Sequence, residues 1–142
     1  MKKSKSAYCD ICDKDVTFNI IEETETIKTH DVGDLSFLYK KAVCKHCGNE
    51  VNPVSYTHEN ILSMHDAHKK KLGFLTSKEI KEIRKKLGLT QEGLAKLMGC
   101  GLKTITRYEN GAIQDRVFDN FIRCLELMHD NKVRYKAVLK YQ

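Results

Sequence analysis

Long apolar runs are missing from this chain. None approaches the roughly 18 residues that a membrane-crossing helix needs, which argues against a helical membrane span. A secretory leader is not expected either: the opening "MKKSKSAYCD" is basic, but no apolar segment follows it. The expected location is the cytoplasm. Proline occurs once, at Pro53, just after the last paired cysteine, where it is placed to end a sheet. Internal repeats and low-complexity tracts are lacking. So are catalytic signatures: there is no general acid/base pair, no activated nucleophile and no glycine-rich phosphate loop. The H-x-E plus P-C-x-x-C pattern of the zinc deaminases is also absent. An enzyme is not expected.

What is present is a soluble, globular balance over 142 residues, with 31% charged and 41% hydrophobic residues. That length suits one ordinary domain or two small ones. Charge is uneven. Residues 1–56 carry 8 Lys/Arg against 9 Asp/Glu, a net of −1, and residues 57–142 carry 17 against 10, a net of +7. A near-neutral front and a basic rear imply that only the rear half faces a polyanion. An RNA-binding zinc ribbon at the front is disfavoured for the same reason.

The front reads as strands. "VTFNI" alternates Val16, Phe18 and Ile20, and "LSFLYKKAV" alternates Leu35, Phe37 and Tyr39. A period of two with β-branched and aromatic residues predicts a half-buried sheet, with "HDVGD" as the turn between strands. Cys9 and Cys12 form one C-x-x-C pair, and Cys44 and Cys47 form another. Two such knuckles bring four thiolates to one centre, the ligand set of structural, tetrahedral Zn²⁺. The longer separation between the pairs fits a hairpin inserted between them. A redox role for either pair would need a βαβ unit, which the surrounding residues lack. A closed four-thiolate site leaves no position for substrate, so its expected role is to staple a front too small for a sizeable core. Cys100 and Cys124 read as small packing residues, and His46, His58, His65 and His68 as polar residues outside the site.

From residue 57 the pattern turns helical. "THENILSMHDAHKKKLG" has a thin apolar stripe and predicts a connecting helix or semi-rigid linker. "TSKE" is a capping box, with Thr76 and Glu79 opening a helix that buries Ile80, Ile83 and Leu87. Thr90 caps a second helix that ends at Gly99. A third runs over 102–109, and a fourth over 115–128 is expected to bury Val117 or Phe118, Phe121, Ile122, Leu125 and Met128. A last amphipathic piece, "KVRYKAVLKY", shows Val133, Ala137 and Tyr141 on one side.

"LTQEGLAKLMGCGLKTITRYENG" has the spacing of a helix-turn-helix, whose second helix enters the major groove of B-DNA. Leu94, Ala95, Met98, Leu102 and Ile105 are expected to lock its two helices together. Lys103, Thr104, Thr106 and Arg107 are then expected outward, as base-reading residues. Gln91, at the start of the preceding helix, is expected at a phosphate. Tyr108 is expected to pack inward and Glu109 to pair locally.

These residues resemble the lambda Cro/repressor-type (XRE) helix-turn-helix. The two cysteine pairs, the helical connector and the "GCGLKTITRYENGAIQ" block together resemble the MqsA/YgiT-type antitoxins of bacterial toxin–antitoxin pairs. The resemblance implies zinc at Cys9, Cys12, Cys44 and Cys47. It implies a homodimer through the C-terminal domain on a palindromic double-stranded operator, with recognition carried by Lys103 and Arg107. The best-known member has Asn at the Lys103 position, so a different operator sequence is implied. It further implies a toxin bound by the front domain and repression of the pair's own promoter. The expected fold class is α+β: a small zinc-bound antiparallel β domain over 1–56, a connector over 57–75, and an all-α, five-helix XRE-type domain over 76–142. A stand-alone phage or mobile-element repressor without a toxin is the alternative function.

Overall fold

A computed structural model of the chain describes residues 5–133. The arrangement is α+β: short antiparallel sheets come first and five helices follow. The chain divides into two compact units, Met1–His68 and Lys69–Gln142, and the division falls inside the first helix. The amphipathic piece expected around Ala137 and Tyr141 lies outside the described residues.

In the first unit, strands β1 (Ala7–Cys9) and β2 (Lys14–Val16) pair antiparallel and frame the first knuckle. Strands β3 (Phe18–Thr29) and β4 (Gly33–Cys44) form a hairpin paired from Phe18↔Cys44 to Thr29↔Gly33. This hairpin is the insert between the cysteine pairs. The Thr29 hydroxyl pins its turn, donating to the Gly33 carbonyl at 2.7 Å and accepting from the Val32 N–H at 3.3 Å. The expected alternation holds on β4, where Leu35 and Phe37 are buried and Ser36 and Leu38 are exposed. A two-residue strand β5 (Glu50–Val51) extends the sheet at Ala42 and Val43. Pro53 follows, and helix α1 (Val54–Lys71) begins directly after it.

Beyond β5 the free edge of β4 has a different partner. The Asn60 side chain accepts from the Lys40 N–H at 2.8 Å and donates to the Lys40 carbonyl at 2.9 Å. One carboxamide from α1 thus satisfies both backbone groups of a strand residue. The Lys40 ammonium in turn reaches Glu59 at 3.0 Å.

The second unit is built from helices α2 (Ser77–Lys86), α3 (Gln91–Met98), α4 (Leu102–Glu109) and α5 (Arg116–Asp130). Four of the five helices expected here therefore fall among the described residues. The capping box is formed: Thr76 accepts from the Glu79 N–H, and Glu79 accepts from the Thr76 N–H at 2.7 Å. Thr90 and Asp115 cap α3 and α5 in one direction only, accepting from the Gly93 and Phe118 N–H groups. The core gathers Ile80, Ile83, Leu87, Leu94, Ala95, Leu97, Ile105, Phe118, Ile122 and Leu125, with Tyr108 packed edge-on against Phe118 at 4.7 Å.

Two apolar residues expected inside lie largely outside. Phe121 is 42% exposed and Leu102 is 49% exposed. On α5 the buried stripe runs through Phe118, Ile122 and Leu125, so Phe121 sits beside it with Val117, and Leu127 lies on the far side of the helix. The stripe also includes a polar residue. Asp119, 2% exposed, accepts from the Leu75 N–H at 2.7 Å, from Gln114 at 3.0 Å and from Arg123 at 2.8 Å. This carboxylate ties the loop before α2 to the start of α5.

Candidate functional site

The four paired cysteines come together although 31 residues separate the two pairs. Their sulfurs all lie within 4.8 Å of one another, with Cys9–Cys47 at 3.5 Å and Cys12–Cys44 at 3.9 Å. A disulfide needs about 2.05 Å, so none is formed. Four sulfurs on a tetrahedral zinc at about 2.3 Å stand about 3.8 Å apart, and the observed separations fit that shell.

Local chain chemistry builds this geometry. Each knuckle turns back immediately after its second cysteine through a left-handed residue, Asp13 (φ 51°) in the first and Gly48 (φ 74°) in the second. Glycine takes that conformation without a Cβ clash, and Asp is among the few other residues that tolerate it. Asp13 is held by the Tyr8 hydroxyl, which donates to its carboxylate. In the second knuckle the His46 N–H donates to the Cys44 sulfur at 3.3 Å, and the Gly48 N–H donates to the Cys44 carbonyl at 3.0 Å. His46 itself is exposed and contributes no ring nitrogen to the cluster.

The thiols are unequal. Asn49, through its side chain and then its backbone, draws the Cys47 thiol down to about 6. The Cys12 thiol, hydrogen-bonded to the Cys47 sulfur and partly desolvated, is pushed up to about 12. A cation entering here displaces protons, and one thiolate is already favoured near neutral pH.

In the second unit, α3 and α4 meet across a turn closed by Gly99, which caps α3 at φ 69°. Ile105 is fully buried on the inner side of α4. Glu109 also faces inward, its side chain 2% exposed, but its partner is not local. Both Nε and Nη2 of Arg84 on α2 donate to its carboxylate, Nη2 at 3.1 Å, and Gln91 Nε2 adds a bond at 2.8 Å. Burial works to raise the Glu109 pKa, but the bonds from Arg84 and Gln91 outweigh it and leave it lowered.

The residues expected on the outer face divide into three kinds. Lys103 and Arg107 are exposed and hold no carboxylate among the described residues, whereas Lys78, Lys96 and Arg123 in the same unit each hold one and Lys86 holds two. Thr104 is half-buried and lies to one side of them. Thr106 and Gln91 are turned toward each other: the Thr106 hydroxyl lies 3.3 Å from Gln91 Oε1 and 3.1 Å from the Leu102 carbonyl. Each end of the Gln91 side chain thus has one partner within the protein, Glu109 at the nitrogen and Thr106 at the oxygen. Leu102, expected as packing, joins the exposed side.

A unit with four clustered cysteines is thus followed by a helical unit that fits a helix-turn-helix. The chain belongs to the MqsA family, the antitoxin component of bacterial toxin–antitoxin systems, whose family model matches residues 7–132. Comparison with curated proteins gave no match. Among the described residues no helix is long and apolar enough to cross a membrane.

Proposed function

We propose that this antitoxin is a dimeric, DNA-binding autorepressor that also binds a cognate toxin. It acts in the cytoplasm by binding rather than by catalysis. Lys103 and Arg107 read base edges of a palindromic operator, Arg107 by a two-bond grip on guanine O6 and N7. Thr104 and Thr106 flank them, and Gln91 meets a phosphate through the backbone N–H groups at the start of α3. The observation that carries this reading is α4 itself. Its inner side is fixed by Ile105 and by the Glu109–Arg84 pair, and its outer side presents two cations without acidic partners among the described residues.

The division of labour follows the proposed domains. Residues 1–56 hold one structural Zn²⁺ per chain at Cys9, Cys12, Cys44 and Cys47 and carry the toxin contact. Residues 57–75 connect, and residues 76–142 bind DNA and dimerise. The exposed Val117, Phe121 and Leu127 of α5 support an association through this domain. Two recognition helices related by a two-fold axis would then enter successive major grooves about 34 Å apart.

Titration of the full chain against the DNA upstream of its own reading frame tests the reading. Arg107→Ala is expected to cost about 1–3 kcal/mol and to relax base preference. Equal affinity of the variant and wild type would overturn the assignment of α4. Copurification from the native operon with an adjacent small protein supports the toxin contact, and its absence favours a stand-alone repressor.

A further inference from the structure

Leu102 is not among the residues that build the buried cluster of its unit. It is the first residue of α4, 49% exposed, and the core of this unit closes around Ile105 without it. An exposed leucine alone means little, because scattered apolar surface is normal. Here its position decides. The N-terminal turn of the second helix in a helix-turn-helix is the part that reaches base edges. Lys103 lies next to it in sequence and Thr106 one turn on, so Leu102 borders the exposed cationic side of α4.

Thr106 completes the picture. A threonine in a groove can donate, accept or offer its methyl group. Its one hydroxyl proton is committed within the protein, to Gln91 Oε1 or the Leu102 carbonyl. Leu102 and Thr106 therefore form a strip with no spare donor, beside two cations that have donors to spare. The major groove has one apolar mark, the 5-methyl group of thymine. We propose that Leu102, with Thr106 beside it, reads thymine through that methyl group, next to the bases read by Lys103 and Arg107. This rests on the DNA-binding reading above.

The probe is a duplex selected from random DNA by the full-length, metal-loaded protein. Each thymine of the selected site is replaced in turn by uracil, which deletes one methyl and preserves base pairing. At one thymine per half-site, wild type is expected to lose roughly fourfold in affinity, the worth of one buried methyl-sized group. Leu102→Ala should lose a similar factor on the thymine duplex and nothing further on the uracil duplex. Because Leu102 lies outside the core, the variant is expected to melt with wild type, and the uracil arm leaves the protein untouched in any case. Indifference of wild type to uracil at every position would overturn the proposal and leave DNA binding standing. So would equal uracil sensitivity in Leu102→Ala and wild type. Failure of wild type to select any duplex would remove the DNA-binding reading, and this proposal with it.

Discussion

Single side chains decide how firmly α4 is held. Glu109 is a buried carboxylate whose charge is tolerated because Arg84 and Gln91 surround it. Removing one member of such a pair strands the other, at about 3–5 kcal/mol. Glu109→Ala is therefore expected to lower the unfolding free energy by roughly 3 kcal/mol in a denaturant titration. Glu109 and Asp119 both have pKa values lowered from their ordinary 4.5 and 3.8. A carboxylate whose pKa is depressed by folding contributes stability above its unfolded value and loses it as pH falls through the folded one. Stability of the helical unit should thus decline as pH drops below about 4.5. The decline should be shallower in Glu109→Gln than in wild type, as followed by thermal melts across pH. Neither burial could be read from sequence. A Glu or Asp in a helix looks like surface until its partner, 25 residues away for Glu109 and Arg84, is known.

Elements were legible where a local signal stands alone. The Thr76–Glu79 box, the Thr90 cap and the Gly99 stop each bracket a helix within a few residues, and each is observed. Thr76→Ala should cost about 1 kcal/mol by loss of the cap. At Gly99 nothing lies within 4 Å of an added Cβ, so crowding is not the issue. Its φ of 69° is, and Gly99→Ala should cost about 1–2 kcal/mol in chemical unfolding through backbone strain alone. The face of a helix was less legible than its ends. Successive residues differ by about 100° around the axis, so an apolar run such as "VFDNFIRCLELM" fits several stripes. Phe121 fell beside the chosen stripe, and Leu102 lay at a helix start, where the pattern has no earlier turn to set its phase. The three short strands β1, β2 and β5 left no periodic trace, since two or three residues cannot show alternation.

At the scale of the whole molecule the two units draw on different sources of order. Among the described residues the helical unit has its own cluster of eleven buried residues, Leu75 through Leu125. The front unit has a small cluster of five, of which two are the cysteines Cys9 and Cys44. A strong chelator should therefore release about one equivalent of metal and unfold the front while the helical circular-dichroism signal of the rear persists. Metal analysis beside spectroscopy reads both outcomes, and a front that stays folded without metal would contradict the staple. The sheet of that front unit also bears on behaviour in concentrated solution. An uncovered strand margin recruits identical neighbours and seeds fibres. By mimicking a peptide unit against Lys40, the carboxamide of Asn60 closes part of one such margin. Conversion of that single amide to an acid, as happens when stored protein ages, would set two oxygens against each other and reopen the seam to polymerisation.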